Sequence, residues 1–163
     1  MPVAGRDYIG VGVGAMVFNE DGRVFLSRRG PEARNERGCW EFPGGGVQFG
    51  EKLSDAIVRE FYEEYAMHIE VIKLLGVPDH IIDDEQQHWV SPTFIARHIA
   101  GTPRIVEVDK CTGIGWFSLM RLPEPLSLVT RYDVEVYIAE YGSRSDWYDW
   151  VADYISRPIS DTS

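Results

Sequence analysis

Three things are scarce in this chain, and each scarcity excludes something. Cysteine occurs only as Cys39 and Cys111, too few for a disulfide framework and without metal-motif spacing. A reduced, cytoplasmic setting is the expectation. Positive charge is also short: 16 Lys and Arg against 26 Asp and Glu leave a net charge of −10. A surface of that sign argues against nucleic acid polymers and anionic membranes as partners. It still admits a small phosphorylated ligand, provided a cation or a local arginine cluster stands between. Long apolar runs are missing, so no membrane span is expected. The start, "MPVAGRDYIGVGVGAMVF", has neither the basic opening nor the unbroken apolar stretch of an export leader.

What is present is the composition of a soluble globular domain, 163 residues with 44% hydrophobic and 12% aromatic content. "YIGVGVGAMVFNEDGRVFLSRRG" predicts two strands joined by a tight turn at Asp21-Gly22. Gly10, Gly12 and Gly14 alternate with apolar residues there, which predicts close approach of another backbone or a ligand to one face. "PEARNERG" is a loop and "CWEFP" a short strand. A glycine loop and a helix from about Leu53 to Ala66 follow, with Ser54 and Asp55 suited to its first turn. "IEVIKLLGV" and "HWVSPTFIARHI" predict two strands separated by an acidic loop, "PDHIIDDEQQ", and "GIGWFSL" predicts the last. A proline-led entry then opens a helix near Ser127. The expected organisation is one domain over 1–142 and a helical tail over 143–163. In that tail Trp147, Trp150, Val151, Tyr154 and Ile155 recur at helical spacing; they pack on the same domain or form a homodimer contact or lid.

The first helix carries Glu60, Glu63 and Glu64 on neighbouring turns. At about 100° per residue these fall within roughly one third of the circumference. Ile57, Val58, Phe61 and Tyr65 occupy a separate, core-facing arc. Two carboxylates about 4 Å apart repel by on the order of 4 kcal/mol at an effective dielectric of 20. A solvated charged face is the ordinary explanation. The preceding Gly44, Gly45 and Gly46, with Glu51 and Arg59 at the helix entrance, favour a metal–phosphate site instead. Carboxylate oxygens suit Mg²⁺ or Mn²⁺, hard cations that also take phosphate oxygens. A side-chain-free loop lets a backbone carbonyl and a phosphate chain come close.

The stretch from Gly45 to Met67 resembles the signature of the Nudix hydrolases. Gly45, Glu51, Arg59, Glu60, Phe61, Glu63, Glu64 and Met67 stand at matching positions. Ala66 stands where that pattern has glycine, and Phe61 is bulkier than its usual aliphatic residue. "WEFPGGG", the N-terminal strand pair and "GWFSLMRLP" extend the likeness over about residues 8–142. The resemblance implies an α/β fold, an α/β/α sandwich around a central mixed β-sheet. It implies hydrolysis of a small nucleoside diphosphate derivative, with Glu60, Glu63, Glu64 and the Gly44 or Gly45 backbone binding Mg²⁺. It makes Glu51 and Arg59 residues that orient those ligands. It makes Glu60 the first choice of general base, with Glu107 and Asp109 as later-loop alternatives. "GVGVG", "GGGVQFGE" and "DKC" are similar to members that cleave nucleoside or deoxynucleoside triphosphates to monophosphate and pyrophosphate. Hydrolysis of ADP-ribose or a nucleotide sugar is the alternative, and a non-catalytic metabolite sensor is a third reading.

For the rest of the substrate the sequence offers Arg28 and Arg29, which strand alternation points to opposite faces. Either could grip phosphate bidentately or form a surface ion pair. Phe42, Trp89 and Phe94 are candidates for a base slot, though aromatic residues are more often core. His80, His88 and His98 lack zinc-site spacing and are read as structural.

Overall fold

The computed structural model describes residues 1–141; the helical tail expected over 143–163 lies outside the described residues. β1 (Gly10–Phe18) and β2 (Val24–Arg29) form the expected hairpin, with Phe18 opposite Val24. The period-two alternation of these strands sends their side chains to two different cores. Val13, Ala15, Val17 and Phe25 belong to one; Met16, Phe18, Val24 and Leu26 belong to the other.

β3 (Trp40–Glu41) pairs with β2, and β4 (Gly44–Gly46) pairs antiparallel with β1. Part of the expected glycine loop is therefore a strand. The absence of side chains explains it: a Cβ on Gly44 would lie 2.1 Å from the Val13 carbonyl oxygen. After α1 (Leu53–Tyr65) come β5 (His68–Gly76), β6 (Asp79–Ile82), β7 (Gln87–Val90), β8 (Thr93–Ala100) and β9 (Cys111–Phe117). β8 runs parallel to β1 and antiparallel to β5, while β9 closes on β2. The sheet is mixed.

Residues 78–87 are not the acidic loop expected. Asp79–Ile82 pairs with Gln87–Val90 as an antiparallel hairpin that buries His80 and Ile82 and exposes Asp79 and Ile81. The acids are confined mostly to its tip, where Gln86 takes a positive φ of 51°. The single strand expected over "HWVSPTFIARHI" is two, interrupted at Ser91-Pro92, where proline supplies no ladder N–H.

α1 covers one face of the sheet through Ala56, Ile57, Phe61 and Tyr65. The bulky Phe61 is fully buried and packs near the Phe25 and Tyr65 rings. The helix ends on Ala66 in the left-handed region, φ 56° and ψ 32°. Glycine takes that conformation without steric cost, which accounts physically for the motif's preference there. α2 (Leu128–Tyr141) covers the opposite face, its Tyr137 buried in the second core. The Ser127 hydroxyl accepts from the Thr130 N–H at 3.4 Å and so caps α2. The outcome is the α/β/α sandwich around a mixed sheet. Among the described residues no helix is long and apolar enough to cross a membrane.

Candidate active site

A cavity of about 500 Å³ opens between the N-terminal half of β1, β4, the acidic face of α1 and the start of α2. Its floor is nearly bare backbone. Gly12 and Gly14 of β1 line it beside Gly44, Gly45 and Gly46. The Glu60 carboxylate rests against Gly45 so closely that a Cβ there would lie 2.2–2.6 Å from its atoms. The glycine loop thus gives the helix carboxylate direct access to the floor.

Arg59 neutralises the rim of this acidic arc. Its Nε donates to Glu51 Oε1 at 2.7 Å and its Nη1 to Glu60 Oε1 at 2.9 Å and Glu63 Oε2 at 3.1 Å. Nη2 donates to Glu51 Oε2 and to the Gly46 carbonyl, each at 3.0 Å. Glu51 also accepts the Gln48 N–H, tying the loop to the helix entrance. The Arg59 guanidinium holds the Glu51 carboxyl down at about 2. Glu60 and Glu64 behave in the opposite way. Burial raises the pKa of both, and each carboxyl group also feels the other. Burial first, then the Glu60 charge, pushes Glu64 up to about 8.

Two partly buried, mutually repelling carboxyl groups beside a backbone floor are oxygen donors of the kind a hard divalent cation takes. Among the described residues no three acidic, histidine or cysteine side chains converge as a metal cluster. Glu63 is the outlying member, its side chain 53% exposed and turned to Arg59, against 13% for Glu60.

A model of the NUDIX domain matches residues 9–136. The chain belongs to the NUDIX family. The crystal structure of a MutT NUDIX hydrolase from Burkholderia pseudomallei is 41% identical, with a TM-score of 0.71 over 77% of this chain and 95% of that one. The ADP-ribose pyrophosphatase of Methanocaldococcus jannaschii is 30% identical over 125 residues, 77% of this chain and 69% of its own. An RNA pyrophosphohydrolase of Rhodopseudomonas palustris is 43% identical over 74 residues, so the match spans 44% of each chain, under half of that relative's length.

The NUDIX cavity sorts the remaining candidates. Phe42 and Trp89 line it, both nearly buried. Arg29 lines it too, but its guanidinium is committed to Glu41 at 2.8 and 2.9 Å and to Asn35. Arg28 does not line it: strand alternation turns it outward, and its Nε donates to the Gly38 carbonyl. Phe94 packs instead against the α1-side core. Glu107 lines the cavity and pairs with Lys110 at 3.1 Å, whereas Asp109 is not among its walls. His80 lines it while bonded to Glu36 at 3.0 Å, and His98 contacts the Gly101 carbonyl away from it.

Among the lining residues to which the sequence assigned no role are Arg34, Lys110, Thr93 and Asp133. Arg34, in the loop before β3, lies 4.4 Å over the Trp89 ring, and Lys110 stands just before β9. Thr93 and Asp133 form a buried pair at the far end. Only Asp133 left a trace: with Thr130 and Tyr137 it marks a polar position on the inward stripe of α2.

Proposed function

We propose that this NUDIX protein is a divalent-metal-dependent pyrophosphohydrolase. Its substrate is a free nucleoside or deoxynucleoside triphosphate, cleaved to the monophosphate and pyrophosphate. The observation that carries the reading is the Glu60 carboxylate resting against Gly45, with Glu64 in the same nucleotide-sized cavity. Glu60, Glu63, Glu64 and the Gly45 backbone would hold Mg²⁺, or Mn²⁺, which when bound lowers the pKa of the attacking water and neutralises charge on the bridging phosphates.

The chain's own groups supply the rest. Water oxygen attacks phosphorus, the bridging P–O bond breaks toward pyrophosphate, and the water proton passes to Glu60. Glu107, in the same cavity, is the alternative base. Arg59 and Glu51 hold Glu60 in place through the hydrogen bonds described above. Arg34 and Lys110 line the same cavity and are the candidate cations for phosphate oxygens, whereas Arg28 lies outside it. The acidic surface supports a free nucleotide over a polymer, and the two free cysteines fit a reducing, cytoplasmic setting.

ADP-ribose is the second reading, favoured by the 30% identity to the archaeal pyrophosphatase. A panel of NTPs, dNTPs, ADP-ribose, nucleotide sugars and 5′-triphosphorylated RNA tests both with purified protein and Mg²⁺. Pyrophosphate release from free triphosphates, abolished by chelation, is expected. Preferential release of AMP and ribose phosphate from ADP-ribose would replace the first reading with the second. Preference for the RNA would overturn the free-nucleotide assignment. Tight binding of one ligand without turnover of any would favour the sensor.

A further inference from the structure

The far end of the cavity holds a carboxyl group that the hydrolysis does not use. Asp133 on α2 is 1% exposed. Its Oδ2 accepts the Thr93 hydroxyl at 2.8 Å, while Oδ1 has no hydrogen-bond partner among the described residues. The neighbouring polar groups are already engaged with one another. The Ser127 hydroxyl donates to Thr130 Oγ1 at 2.9 Å, and Thr130 Oγ1 also accepts the Phe42 N–H at 3.0 Å. Buried polar atoms are normally paired, so an orphaned oxygen on a cavity wall marks a place for a donor from outside the chain.

Register places that donor. Thr93 lies beside Gly14, and Gly14 lies opposite Gly44. Two strand spacings put Thr93 about 10 Å from Gly44, at the α1 side of the floor where the diphosphate would rest. That separation suits a nucleoside extended along the cavity, its base at the α2 end and its phosphates at the α1 end. Phe42 and Trp89 supply aromatic surface in the same cavity.

We propose that Asp133 Oδ1 accepts a hydrogen bond from an N–H on the substrate's nucleobase, selecting bases with a ring N–H of the guanine or uracil type over bases without one. This rests on the nucleotide reading above. Burial, with no opposing cation beside it among the described residues, raises the Asp133 pKa to about 7, so near neutrality a substantial fraction is ionised and able to accept. Thr93 holds the carboxyl plane by its bond to Oδ2.

The test is calorimetric binding of nucleoside monophosphates with Mg²⁺ present, which needs no turnover. Two pairs differ in the ring N–H: guanosine against 1-methylguanosine monophosphate, and uridine against 3-methyluridine monophosphate. The N–H member of at least one pair is expected to bind about 10- to 100-fold more tightly, the range for a hydrogen bond to a charged group. Asp133→Asn, nearly isosteric, can turn its amide N–H₂ toward the base and is expected to abolish or invert the ratio. Equal wild-type affinities within both pairs, or an unchanged ratio in D133N, would overturn the assignment. The wild-type comparison stands even if the variant fails to fold. A retained ratio without turnover in the substrate panel removes the hydrolase reading alone; turnover without the ratio removes the role of Asp133 alone.

Discussion

The two ends of the cavity handle buried charge in opposite ways. At the α1 end, several carboxyl groups come from one short stretch of sequence, and a single guanidinium draws Glu51, Glu60 and Glu63 together. At the α2 end, one carboxyl group is assembled from afar with hydroxyls from β8 and the start of α2. The first end is crowded with charge that repels itself; the second has a single ionisable group held by burial. Crowded like charge suits a cation, and a lone acceptor suits a neutral donor. The chemistry of each end thus matches a different part of one nucleotide.

The largest effect that would break this comparison is at the crowded end. Glu64→Gln or Glu60→Gln is expected to lower kcat/KM by on the order of 10²-fold or more. In chelator the same variants should melt no lower than the parent, because each removes a member of a repelling, partly buried pair. A variant with parental turnover would return the acidic arc to a solvated helix face. The floor that joins the two ends comes next. A Cβ on Gly14 would meet nothing nearer than 3.6 Å, so Gly14→Ala should fold normally while placing a methyl group between base and phosphates. KM is expected to rise several-fold with little change in melting temperature, measured side by side. An unchanged KM would mean that the two ends do not bind one ligand.

The same contrast explains what could be read in advance. α1 and its glutamates were legible because their spacing is local: periodicity orders the carboxylates, and Gly45 leaves room for Glu60 before any tertiary contact is known. The β1–β2 hairpin and the helix entry at Ser127 were legible for the same reason. The hairpin over 79–90 was not, since its tip is acidic and its alternation is short. Arg28 and Arg29 are adjacent in sequence, but the sheet aims one at the Gly38 carbonyl and the half-buried Glu41 claims the other. Arg34 sits in a loop whose path is set by Trp89 and Gln87, far along the chain. Thr93 and Asp133 meet only after β8 has inserted beside β1 and α2 has packed across the opposite face.

The lone acid can be separated from the crowded ones by its pH signature. The folded pKa of Asp133, about 7, lies above the ordinary aspartate value because of burial. The folded state therefore holds its proton more tightly than the unfolded chain does. That contribution is complete below the unfolded pKa of about 4 and is lost as pH rises through about 7. Asp133→Asn removes the titration. Relative to the parent, the variant should gain melting temperature between pH 5 and pH 8, by several degrees in chelator. A constant difference across that range would mean that Asp133 is not shifted in the folded protein.

The smallest effect concerns the end of α1 rather than the site. Ala66 adopts φ 56°, ψ 32°, with its N–H donated to the Tyr62 carbonyl and the next N–H, of Met67, to that of Phe61. An alanine Cβ in the left-handed region costs about 1–2 kcal/mol, and glycine avoids it while adding roughly 0.5–1 kcal/mol of unfolded-state entropy. Ala66→Gly should therefore stabilise the protein by about 0.5–1 kcal/mol in denaturant titrations and leave kcat/KM unchanged. The Ala66 side chain touches neither the cavity nor the acidic arc, so a change in turnover would mean that the helix end is coupled to the carboxylates. An unchanged rate with a higher denaturation midpoint would separate the two demands on this stretch: the glutamates serve the chemistry, and the glycine of the motif serves the backbone turn.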